Sequence, residues 1–124
     1  MIALIIFIMT NILFMVLSIL LVTRFSKMKI NPGIGYRTPK SMASAEAWES
    51  ANKKCGQMLL AESVISTIIL LALPFFLHDI IDIILELVVC LVWTIVFVVG
   101  MIILVVVTET HLARNFQAPK KENV

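Results

Sequence analysis

Hydrophobic positions along the chain fall into three long runs, not into the narrow stripes of soluble amphipathic helices. Ile2 to Val22 is apolar except at Thr10, Asn11 and Ser18. Gln57 to Leu77 forms a second run that carries Glu62, Ser63, Ser66 and Thr67. A third begins between Ile83 and Leu87 and ends at Val107. A helix needs about 20 mostly apolar residues to cross a hydrocarbon core of roughly 30 Å. The pattern therefore predicts an all-α integral membrane protein with three transmembrane helices, at about 2–22, 57–77 and 85–107. A third span begun at Ile83 would have to tilt or include interfacial residues.

Composition agrees with this reading. Of the 124 residues, 60% are hydrophobic, and mean hydropathy is +1.04; soluble domains run about 45–50% apolar. Charge is nearly balanced, with ten Lys and Arg against eight Asp and Glu, and suggests no nucleic acid. Its distribution is far from even. Seven basic residues lie in the first loop, 24–56, three lie in the tail, 108–124, and the acidic second connection, 78–86, has none. The positive-inside rule places the first loop and the C-terminus in the cytoplasm and the N-terminus outside. The expected location is a bacterial cytoplasmic membrane. The first run is expected to be retained: it has no basic residues before it, is too long for a signal h-region, and lacks a small-residue cleavage site. Cys55 and Cys90 make neither a disulfide framework nor a metal knuckle and are read as structural.

Several polar residues interrupt the apolar runs. An unpaired amide at Asn11 would be costly, which predicts an interhelical hydrogen bond, with Ser18 on the same bundle-facing stripe. Thr94 and Gly100 are read as packing features of the third span. Pro74 is expected to kink or end the second. Two readings stay open for Glu62: a group facing the bundle interior, or a carboxylate snorkelling toward a loop cation, with Arg37 the candidate partner. Glu109 and His111 are read as a polar cap on the third helix.

The loop "INPGIGYRTPKSMASAEAWESANKK" is more specific than topology requires. Asn31-Pro32-Gly33 predicts a type II turn with Gly33 in the left-handed position. Gly33 and Gly35 do not make a nucleotide loop, since there is no preceding strand, third Gly or Walker Lys-Ser/Thr pair. After Pro39, Ser44 is a plausible N-cap, Glu46 falls in the first turn, and Glu49 and Lys53 stand at i,i+4. The spacing Ala45, Trp48, Asn52, Cys55, Leu59 predicts a short amphipathic interfacial helix. It either bends into the second span at Gly56 or continues into it, with Trp48 at the membrane surface. The loop's Lys and Arg are expected to touch anionic lipid headgroups. Arg37, between Gly35 and Thr38-Pro39, reads instead as a planar donor presented by a fixed turn.

Asn31, Gly35, Arg37, Thr38, Pro39, Trp48 and Asn52 resemble the signature loop of the SdpI-like family. Its motif runs Asn, Gly-x-Arg-Thr, a spacer, then Trp-x-x-x-Asn between two membrane spans. The likeness is close over roughly 28–60. It implies a bacterial membrane protein that protects its host from a membrane-active peptide toxin of the sporulation-delaying type. For the family's namesake, a longer multi-span protein, it also implies sequestering a transcriptional repressor at the membrane.

Two other classes compete. An oligomeric channel or small transporter would use several copies, and Asp79, Asp82 and Glu86 (i, i+3, i+7) would give it an acidic outer face. An assembly subunit of a larger membrane complex would have a fixed partner. An enzyme is disfavoured, because His78 and His111 fall on opposite sides of the predicted membrane and no nucleophile–base pair appears. Neither a metal site nor a cofactor is expected.

Overall fold

Each long apolar run forms a helix, since a backbone in hydrocarbon must satisfy its own polar groups. The structure, a computed structural model, describes residues 2–77 and 83–116. Helix α1 spans Ile2–Thr23, and a short 3-10 turn follows at Phe25–Lys27. Helices α2, Ala45–Leu77, and α3, Ile83–Asn115, complete the order. All three carry stretches long and apolar enough to cross a membrane. Within the described residues the protein is all-helical, as the hydropathy predicts.

Burial differs from that of a soluble bundle: Leu21, Leu59 and Leu104 cluster with Cys55 inside, but much of the rest of the interior is polar or small. Asn11, Ser18, Ser63, Ser66 and Thr108 are buried. Ile5, Ile6, Leu13, Ile68, Leu91 and Ile102 are exposed. Lipid solvates the aliphatic side chains as well as a core would, so small and polar residues collect at helix contacts. Two of these hydroxyls turn back onto their own helix: Ser18 donates to the Met15 carbonyl at 2.7 Å and Ser63 to that of Leu59 at 2.7 Å.

Asn11 follows the same habit, which corrects the expected interhelical bond. Its Nδ2 donates to the Phe7 carbonyl at 2.8 Å within α1, and its Oδ1 has no partner among the described residues. The i−4 carbonyl is always within reach in a helix. The hydroxyl of Ser63 is meanwhile committed to its own backbone.

The larger interface joins α1 to α2, and Gly56 makes it close. A Cβ there would lie 2.9 Å from the Ser18 carbonyl oxygen and 2.9 Å from the Leu21 Cβ. Phe14 of α1 meets Phe97 of α3 with ring centroids 5.1 Å apart.

No separate interfacial helix forms. Residues 45–77 make one helix, and of the two expected outcomes the continuous one holds. Gly56 passes through α2 as a packing surface, not a hinge. The helix runs through Pro74 to Leu77, which leaves that proline in the final described turn. Ser44 caps the start: its Oγ accepts from Ala47 N at 3.0 Å. The Glu49–Lys53 pair forms at 2.6 Å. At 33 residues each, α2 and α3 are about 50 Å long, well beyond a core of roughly 30 Å. The overhanging start of α2 and end of α3 pack together, with Ala47 and Ala51 against Leu112.

Gly56→Leu is expected to drive α1 from α2 and cost about 1–3 kcal/mol through overpacking. At Gly33 a Cβ would meet nothing nearer than the Asn31 Oδ1, at 3.7 Å, so Gly33→Ala should stay within about 0.5 kcal/mol of the parent. Thermal unfolding in one detergent compares the two.

Candidate functional site

The loop between α1 and α2 closes over the overhanging helix ends, and its signature residues are what close it. Asn31 starts the turn in its own way. Its Oδ1 accepts from Gly33 N at 3.1 Å and Ile34 N at 2.9 Å. This Asx geometry replaces the expected type II turn. Because a side-chain oxygen does the work of the turn carbonyl, Gly33 need not be left-handed.

The left-handed residue is Gly35, with φ +112°. A Cβ there would fall 2.7 Å from the Asn52 Oδ1 and 3.0 Å from the Trp48 ring. Both backbone and space therefore demand glycine at this position.

Trp48 and Asn52 are one turn apart on α2 and fully enclosed, at 1% and 0% exposure. The Asn52 Oδ1 accepts from Tyr36 N at 2.7 Å, and its Nδ2 donates to the Trp48 carbonyl at 2.8 Å. The Trp48 Nε1 donates to the Phe25 carbonyl at 3.1 Å. One Trp-x-x-x-Asn unit thus ties α2 to the loop and to the 3-10 turn after α1. Trp48 is a core residue, which corrects its placement as a membrane-surface anchor. The helix start lies beneath the loop, so its indole is covered by Gly35.

Beyond Tyr36 the side chains diverge. The Tyr36 hydroxyl donates to the Glu109 Oε1 of α3 at 3.0 Å. Burial first, and hydrogen bonding to that carboxylate second, push the phenol well above its ordinary value; it remains a donor at neutral pH. Thr38 N donates to the Ser41 Oγ at 2.8 Å, while Ser41 N donates to the Thr38 Oγ1 at 3.2 Å. Ser41 Oγ in turn donates to the Tyr36 carbonyl at 2.9 Å. Lys40 approaches the Glu109 Oε2 at 3.6 Å. Pro39 is exposed within this turn, and Arg37 is exposed on the outer side. Among the described residues the Arg37 guanidinium has no hydrogen-bond or ion-pair partner.

Of the two readings open for Glu62, the pair with Arg37 does not form. Glu62 lies instead against Gly100 of α3, in a cleft with Ser66 and Trp93. Five residues into its span, its short side chain is held toward α3 by α2 itself. Glu86 is half-buried in the first turn of α3, and Asp79 and Asp82 lie outside the described residues.

A second contact joins α2 and α3 at the loop end. The Ser50 Oγ is 2.9 Å from His111 Nε2, and Asn115 Nδ2 is 3.2 Å from His111 Nδ1. The residue types resemble a nucleophile, base and orienter, but the direction of the bonds is wrong for that chemistry. The same Asn115 Nδ2 donates to the His111 carbonyl at 2.9 Å, which identifies it as the amide nitrogen. Nδ1 therefore accepts, and Nε2 carries the proton toward Ser50. Such an imidazole braces two helices and does not deprotonate the serine.

Sequence reasoning missed Tyr36, Ser41 and Ser50, and read Glu109 and His111 only as a helix cap. The available signal was the fourfold spacing Leu104, Thr108, Leu112. It carries the buried face of α3 past the end of the apolar run.

Tyr36→Phe is expected to cost about 1 kcal/mol, the net worth of one hydrogen bond. Asn52→Leu strands the buried Tyr36 N–H and should cost about 1–3 kcal/mol, with faster tryptic cleavage at Arg37 and Lys40. Detergent-phase unfolding and timed proteolysis measure both.

No curated protein and no solved structure gives a significant match to this chain. A family model, that of the SdpI/YfhL protein family, matches residues 27–108 of the 124. The matched segment begins at the last residue of the 3-10 turn and takes in the loop, all of α2, and α3 as far as Thr108. It contains every signature residue of the Gly35–Asn52 lock together with Glu62 and Gly100, and on this match the chain belongs to the SdpI/YfhL family.

Proposed function

We propose that this membrane protein confers immunity or tolerance to a membrane-active peptide toxin, without catalysis. Family membership over most of the chain carries the reading. The loop geometry supports a division of labour within it. Trp48, Asn52, Gly35 and Tyr36 are inward and structural, so they hold the three helix ends in register. Arg37 faces outward without a partner and is the residue free to act on something else.

The basic loop faces the cytoplasm in this reading, with the N-terminus outside. Lys27, Lys29 and Lys54 then lie at anionic headgroups, where each contributes about 1 kcal/mol. Arg37 presents a planar, bidentate donor to a cytoplasmic regulator or to the loop of a second copy. The helices within the bilayer meet the toxin.

The test is survival of toxin-sensitive bacteria challenged with a sporulation-delaying-type peptide. The parent chain is expected to protect. Arg37→Ala is expected to abolish protection at equal expression and unchanged proteolytic pattern, because that side chain holds nothing in place. Protection retained by the variant would remove Arg37 from the mechanism. Absence of protection by the parent would overturn the immunity reading itself.

A further inference from the structure

Glu62 is the ionisable group deepest in α2, and nothing in the fold satisfies it. Among the described residues it makes no hydrogen bond and no ion pair. Its carboxylate is seated against the α3 backbone at Gly100, where its Oε1 occupies the place a Cβ would take. From Gly100 to Glu109 is nine helical residues, about 13 Å along α3. The carboxylate therefore lies well inside the hydrocarbon, away from the polar cap and its lysines. As a carboxylate it lacks a cation there; as a carboxylic acid its O–H lacks an acceptor. A partnerless ionisable side chain at such depth marks a functional site.

The Ser66 Oγ and the Trp93 Nε1 are also without a hydrogen-bond partner among the described residues, as are the Asn11 Oδ1 and the Thr108 Oγ1 elsewhere, and all four atoms are closed off from the surface. Ser66 is one turn beyond Glu62 on the same face of α2, and Trp93 is two turns from Gly100 on the facing side of α3. Glu62, Ser66 and Trp93 line a single cleft of about 320 Å³ between the two helices. Its remaining walls are apolar, Phe97 and Ile65 among them. Ile65 and Val96 at the rim are 59% and 55% exposed, so the cleft opens sideways into lipid. Apolar walls around one accessible carboxylate suit a small amphiphile, and the volume falls at the low end of the usual range for ligand sites.

We propose that this cleft binds a lipophilic primary amine that enters from the bilayer as its ammonium. The accessible chemistry dictates that class. The Glu62 carboxylate calls for a cation, and the rest of the lining offers an alkyl chain apolar walls. The alkyl chain lies along Phe97 and Ile65 and leaves through the rim into lipid. Neither the toxin reading nor the orientation of the chain enters this assignment.

The test is equilibrium binding of tritiated dodecylamine to the full chain in lipid nanodiscs, with empty nanodiscs as background. Saturable binding near one ligand per chain is expected, at least tenfold tighter than for neutral dodecan-1-ol. Glu62→Gln should weaken it tenfold or more. Ile65→Trp plugs the rim from an exposed position, keeps the carboxylate, and should weaken it as much. Uptake that never saturates above the empty-disc background overturns the proposal. So does parental affinity in Ile65→Trp, which would reduce the effect of Glu62 to attraction at a distance.

Discussion

The side-chain amide of Asn52 is the point on which the loop end of this protein depends. Its oxygen takes the Tyr36 N–H and its nitrogen reaches the Trp48 carbonyl, all within a space from which solvent is excluded. A buried amide has to be matched on both ends or it destabilises the site it occupies. That requirement sets the rest. Gly35 must be glycine to let the backbone come down onto the amide and the Trp48 ring, and Tyr36 is thereby aimed at α3. From one residue of α2 the arrangement reaches the turn after α1 through the Trp48 indole and the end of α3 through the Tyr36 hydroxyl.

Elsewhere the membrane governs. Aliphatic side chains face outward because lipid is no worse a solvent for them than the interior. The contacts between helices accordingly mix Gly56, Ser18, Ser63 and Thr108 with a small apolar cluster of Leu21, Cys55, Leu59 and Leu104. Small residues let backbones approach, and dispersion replaces the hydrophobic effect as the attraction. Helices longer than the hydrocarbon core project from it, and the projecting ends form a polar cap beneath the loop. The cap carries its own satisfied network, with Glu109 meeting Tyr36 and Lys40 while His111 meets Ser50.

The two halves of α2 therefore differ in kind. Near the loop most buried polar atoms are paired, the Thr108 Oγ1 excepted. About three to four turns beyond Asn52, Glu62 and Ser66 line a cleft with Trp93, and their polar atoms have no partners among the described residues. The Glu62 carboxylate there occupies the place a Cβ of Gly100 would take. Satisfaction at one end and its lack at the other divide a structural cap from an open cleft.

Hydropathy alone determined that there are three membrane helices. The length and polarity of an apolar run measure the free energy of transferring it to lipid, and that depends little on what it touches. The Ser44 cap and the Glu49–Lys53 pair were equally legible, since both are contacts within one helix turn. The Gly-x-Arg-Thr and Trp-x-x-x-Asn elements were visible as a pattern, but their joint meaning was not. Which of Tyr36, Arg37 and Thr38 turns inward is decided by a left-handed glycine packed on residues that stand thirteen and seventeen positions later. Asn11 and Glu62 looked alike in sequence, as polar residues needing partners across the bundle. Only the tertiary structure separated them: the Asn11 amide reaches its own carbonyl four residues back, whereas a carboxylate accepts but cannot donate to that carbonyl and must face whatever the neighbouring helix presents.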